Sequence, residues 1–335
     1  MAPTNTSFAY RHILRQAFDI VKRHRYLWFF GFFATLLGAG GELQPLFNNY
    51  STIGERSQSI MSLRAFYEGG VFSAALGNAK LFFESYPWQA LFFFLMIGAI
   101  FLVAIWLAIV SQVALFDAAA KLAKGKATTY AEGYQAGNRH FSSVLLINVV
   151  LRVILYGVFL VVAMPLLTWF LVGGNLWGGI VFVLLLFFVL LPAAVIVSFM
   201  VKFAIAYVVI NGLPAKQAVR QGWELFKRNW LASIEMAIII LLIGLVVGLA
   251  ILIVMGLASV PFILIGIAAL FFGTATGFAA AVTLCVITWF AVAAIMGSAY
   301  VAYQYTAWTL LFVELDAQRA QSKLMRWFGK VLISN

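Results

Sequence analysis

From Met236 to Val313 the chain runs 78 residues without an Asp, Glu, Lys or Arg. A helix needs only ~20 apolar residues to cross the hydrocarbon core of a bilayer, so this one segment is long enough for several crossings. No water-soluble fold has an interior large enough to hide it. The rest of the chain agrees, with 64% hydrophobic and 10% charged residues against ~45–50% apolar and ~25% charged in an ordinary soluble domain. In lipid every backbone N–H and C=O must be satisfied within the protein, which helices do segment by segment. The expected fold class is therefore all-α, an integral membrane protein.

Charge-poor segments place six crossings near 26–41, 88–116, 141–172, 178–209, 231–257 and 277–313, a six-helix bundle built from three helical hairpins. The first is short, with 16 residues between Arg25 and Glu42. That is ~24 Å of helix, so it requires snorkelling, local thinning or continuation into 43–47. The 78-residue stretch divides into two long spans joined by an apolar segment around 259–277, where Pro261 and Gly273 mark breaks. Whether that segment lies on the outer surface, re-enters the membrane or forms an extra span is left open by the sequence.

The net charge of +11 would suggest nucleic acid in a soluble chain, but here its placement carries the information. Five basic residues precede the first span, and groups of four lie between the second and third, between the fourth and fifth, and after the sixth. Together they make 17 of the 22, whereas the loop 42–87 holds only Arg56, Arg64 and Lys80. Basic residues collect on the cytoplasmic side, so both termini are expected there, in a bacterial inner membrane, with no nucleic-acid partner. The first apolar run lacks the flanks and cleavage site of a signal peptide and reads as retained. The single cysteine, Cys285, sits in an apolar segment and makes no disulfide framework.

Amphipathic entrance helices precede the odd-numbered spans. In 1–25, Tyr10, Ile13, Leu14, Ala17, Phe18 and Val21 recur at helical spacing on one face. The entrances ending Arg139-His140-Phe141 and Arg228-Asn229-Trp230 share small, aromatic and basic positions, a weak internal repeat of helix, span out and span back. Basic and aromatic anchors at any membrane entrance explain the likeness equally well. The tail, 314–335, is a basic amphipathic helix whose Lys323, Arg326, Trp327 and Lys330 are expected at an anionic membrane surface.

Three segments carry a likeness to a known group: 114–126, with Asp117, Lys121, Lys124 and Lys126; the entrance 218–230; and the closing Tyr305-Thr306-Ala307-Trp308-Thr309-Leu310-Leu311-Phe312. In these patterns of helix type the chain resembles bacterial integral-membrane proteins related to the membrane domain of glycerophosphoryl diester phosphodiesterases. The resemblance implies a six-span bundle and no fixed activity. The chain has no room for the soluble phosphodiesterase domain of the fused members, so that activity does not transfer.

Ionisable residues stranded in hydrocarbon are costly and mark sites. Arg152, Lys202 and Glu235 interrupt apolar spans at ~16, ~12 and ~8 Å of helix from their inner ends. Asn148, Arg152 and Tyr156 share one helix face, as do Ser198 and Lys202. One reading is an inner cavity in which Arg152 and Lys202 bind an anion such as a lipid phosphate, with Asn148 and Glu235 nearby and Tyr300, Tyr303 and Gln304 on its wall. The other pairs Arg152 with Glu235 for folding and lets Lys202 snorkel to headgroups. His12, His24 and His140 lack a second ligand at metal spacing, and no HExxH motif or phosphate-binding glycine loop occurs. No cofactor or metal is implied. The expected function is non-enzymatic: binding, sensing or moving a lipid or other anionic envelope component. The rival is a structural or assembly subunit with a protein partner or a second copy of itself.

Overall fold

The structure, a computed structural model, describes residues 9–35, 85–171 and 176–317. The tail residues Lys323, Arg326, Trp327 and Lys330 and nearly all of the loop 42–87 lie outside the described residues. Among the described residues seven helices follow in chain order: α1 (Ala9–Arg23), α2 (Tyr26–Thr35), α3 (Pro87–Ala123), α4 (Tyr130–Leu171), α5 (Leu176–Asn211), α6 (Ala215–Phe271) and α7 (Ala275–Asp316). No strand occurs among the described residues. Five helices, α3 to α7, are long and apolar enough to cross a membrane, and α2 is a shorter apolar helix. The molecule is thus a helical, multi-pass membrane protein.

The chain divides into two compact units, 43–107 and the remainder. In the smaller, the described part is the beginning of α3, whose Trp88, Phe92, Phe101 and Leu102 are exposed. In the larger, α7 packs against α1, α2, α5 and α6, while α5 also meets α4 and α6. Burial is uneven along the long helices. Residues 199–209 of α5, much of 218–240 of α6 and 301–315 of α7 supply the core, as do 108–120 of α3 and Val144, Ile147 and Leu151 of α4. Beyond Leu151, Ile240 and before Ser298 the large apolar side chains turn outward, as at Val153, Val246, Leu252 and Phe290. Exposed in water, such a surface would cost ~25 cal/mol per Å²; facing lipid, it costs nothing. Each long helix therefore has a charged half that packs on protein and an apolar half suited to hydrocarbon.

Aromatic rings fill the centre of the charged half. Trp308, fully buried, lies 5.3 Å from the Phe199 ring and 6.3 Å from Phe203, while Phe226 stacks on Phe199 at 5.5 Å. α2 reaches α7 through Gly31, where any side chain would strike the Ser298 carbonyl. Tight turns close the helices: Gly212 at φ 69° and Gly273 at φ 67° let the next residue bond back to the Tyr207 and Ala269 carbonyls, capping α5 and α6.

Two sequence expectations about breaks change. Pro261 does not interrupt α6, which continues to Phe271, so 259–271 is helix and only the turn at 272–274 separates α6 from α7. Two residues before the proline, Ser259 Oγ accepts the Trp289 indole N–H of α7 at 2.8 Å. Of the entrance helices, α1 is separate from α2 and the first part of α6 is set off from the rest by a kink at Asn229 (φ −126°, ψ 30°), whereas α4 runs from Tyr130 into its span without a break.

Candidate functional site

Asn148 belongs to a buried polar chain that links three helices. Its Nδ2 donates to Gln112 Oε1 of α3 at 3.0 Å and to the Val144 carbonyl at 3.0 Å, and Gln112 Nε2 donates to the Tyr305 hydroxyl of α7 at 3.2 Å. Arg152, one turn beyond Asn148, is within electrostatic reach of that hydroxyl. Away from water such bonds are strong, and each unmade one is expensive. The chain fixes α3, α4 and α7 in register.

Contacts of several other anticipated residues are defined as well. Lys202 is buried, with its ammonium 4.6 Å from the centre of the Trp308 ring, a cation–π contact. Glu235 faces the Tyr10 hydroxyl of α1; burial first, and this carboxylate second, push Tyr10 above its usual 10.0. Gln304 is buried rather than on a cavity wall, and Asp316 accepts the Tyr207 hydroxyl at 2.8 Å at the end of α5. Neither Arg152 nor Lys202 lines any of the described cavities. Among the described residues no group of three or more His, Cys, Asp or Glu is arranged to hold a metal.

Tyr303 and Tyr300 do line a cavity. It is a groove of about 850 Å³ between α1, the α1–α2 elbow, α6 and α7, within the ~300–1,000 Å³ range of ligand sites. Ile239, Ile243 and Val247 form one wall and Ile295, Met296 and Ala299 another. The third is one flank of α1, where Leu14, Phe18 and Val21 alternate with Arg11, Arg15 and Lys22. α1 is held there by its adjoining face, where Ile13, Ala17 and Ile20 are buried, and Tyr10, also buried, borders the groove. The elbow is fixed by the Trp28 indole N–H donating to the Val21 carbonyl at 3.1 Å. Tyr300 is oriented by donating to the Ile240 carbonyl at 3.0 Å.

The groove thus joins hydrocarbon walls to cations along one lip, and among its lining residues Tyr10 meets the Glu235 carboxylate. A smaller apolar groove of 460 Å³ between α5 and α6 carries a single cation, Lys227. The sequence suggested Tyr300 and Tyr303 as the wall of a different cavity, one holding Arg152 and Lys202, and it showed the apolar face of α1, but it assigned Arg11, Arg15 and Lys22 only to topology. Their signal was present in the spacing: residues 11, 14, 15, 18, 21 and 22 form one helical stripe in which cations and apolar groups alternate. Gln112 and Tyr305 were missed as partners of Asn148, since nothing in one sequence says which helices face each other.

The chain matches no protein-family model, no curated protein and no solved structure.

Proposed function

We propose that this is a non-enzymatic protein of a bacterial inner membrane that binds an anionic lipid, as a sensor or carrier, in the groove between α1, α6 and α7. The observation that carries this reading is the union of apolar walls with Arg11, Arg15 and Lys22 on one lip. A hydrocarbon chain gains ~0.8 kcal/mol for each methylene it buries, and guanidinium groups match phosphate oxygens in pairs. With both termini cytoplasmic, α1 lies at the inner leaflet, its cations at headgroup depth and the groove leading toward the bilayer interior. The six-span arrangement implied by the resemblance above is compatible with this, α2 being the first and shortest crossing. Within this reading Arg152 and Lys202 serve the packing of the charged half, and α1 supplies the anion site.

The test is the lipid retained by the purified protein in mild detergent, measured by native mass spectrometry. An anionic lipid is expected on the parent and on Arg152→Leu, and it is expected to be lost from the Arg11→Gln, Arg15→Gln double variant, whose exposed side chains leave the fold intact. Retention by the double variant, or no selective retention by the parent, refutes the assignment and turns the search to an assembly role with a protein partner.

A further inference from the structure

The cations on the lip of the groove stand in a column. At 100° and 1.5 Å per residue, Arg11, Arg15 and Lys22 fall within ~40° of one another around α1 and extend over ~16 Å of its length. All three are exposed, and none forms an ion pair among the described residues. No carboxylate lines the groove. The one acid of α1, Asp19, lies one turn beyond Arg15 and shares with it a neighbouring 520 Å³ polar cleft that also holds His12, Arg23 and His24. The Lys22 ammonium lies over the Phe18 ring, 6.0 Å from its centre.

With Asp19 set against the three cations two net positive charges remain, and a headgroup with one negative charge would leave one of them unmatched beside hydrocarbon, where screening is weak. Arg11 and Arg15, one turn apart, are spaced to converge on a single phosphate. Lys22, ~10 Å further along the axis from Arg15, remains for a second. We infer that the groove selects a lipid bearing two phosphates, one clamped by Arg11 and Arg15 and the other paired with Lys22, with its chains on the walls formed by Ile239, Ile243 and Met296. This rests on the lipid-binding reading above and specifies the class of headgroup.

The experiment is competition on the purified full-length protein between cardiolipin, with two phosphates, and phosphatidylglycerol, with one, at equal total phosphate, with phosphatidylethanolamine as the baseline. Cardiolipin is expected to be preferred by about fivefold, the contribution of one further cation–phosphate pairing at a membrane surface. In Lys22→Gln the preference is expected to vanish while binding of both anionic lipids over the baseline persists. Equal binding of the two lipids by the parent, or a preference unchanged in Lys22→Gln, overturns the two-phosphate inference and leaves the lipid site standing. Binding of neither above the baseline overturns the lipid site itself. Inorganic pyrophosphate added alone is expected to bind far more weakly than cardiolipin; binding of comparable strength would assign the cations to a free anion and overturn the inference.

Discussion

Replacing Gly31 by alanine places a methyl group between two helix backbones. The new Cβ would fall inside the contact distance of the Ser298 carbonyl oxygen, 3.0 Å from the Ser298 carbonyl carbon and 3.2 Å from the Ala302 nitrogen. These obstacles are backbone atoms of α7, so no rotamer change relieves them and α2 must move away. Alanine is intrinsically better than glycine in a helix by ~1 kcal/mol. Overpacking costs ~1–3 kcal/mol, and a backbone obstacle belongs at the upper end. The expected net loss is about 2 kcal/mol, roughly 30-fold in the folded to unfolded ratio. Leu27, Phe30 and Ala34, all buried on the same helix, loosen with it. Gly248 is the control, since nothing lies within 4 Å of its Cβ position; alanine there should be neutral or stabilising by up to ~1 kcal/mol. The assay is equilibrium unfolding of both variants in a mixed detergent titration. If Gly31→Ala matches Gly248→Ala or stabilises the protein, the close α2–α7 contact, and with it the anchoring of the elbow beside the groove, is wrong.

Asn148→Leu removes the donor to Gln112 Oε1 and should cost ~1–3 kcal/mol; in the same titration, a Gln112→Leu, Asn148→Leu double variant should lose less than the sum of the single changes, and strict additivity would deny the coupling. Trp308→Ala empties the site around which Phe199 and Phe203 pack and should cost ~3–5 kcal/mol, whereas Trp308→Phe keeps a ring and recovers most of it. Tyr10 has its ionisation raised above 10.0 in the folded protein by burial and by Glu235, with a smaller contribution from Glu314. Its neutral form therefore contributes stability that is intact below pH 10 and is lost as pH climbs from there through the raised folded value. Stability compared between parent and Tyr10→Phe across pH 8 to 11 should show the parent declining more steeply at the alkaline end, and parallel curves would count against a buried Tyr10.

Much of the architecture was legible because the bilayer acts as a solvent with one strict demand, that long apolar segments satisfy their own backbone hydrogen bonds. That demand alone fixed helix as the element and located α5 and α7 to within a few residues, whereas α4 begins 11 residues before the expected span and α6 extends 16 residues before and 14 beyond it. It could not say whether Pro261 breaks a helix, because a proline within a membrane helix is tolerated or not according to what surrounds it, and α6 runs through Pro261 to Phe271. Nor could it say which of the 27 glycines matter. Gly31 is required by the nearness of α7 and Gly212 by a left-handed cap, whereas Gly248 meets nothing.

The candidate site divides along the same line. Composition and periodicity along one helix determined that α1 is amphipathic and basic, and that Asn148 and Arg152 share a face, since both depend only on angles around a single axis. Tertiary structure decided that Asn148 turns to Gln112 and Tyr305, that Lys202 lies over Trp308, and that Arg11, Arg15 and Lys22 border the apolar groove. A charge can be read from the chain, but its partner cannot. The partner is set by which helices pack together, and that choice is made by side-chain shape over the whole buried half of the bundle.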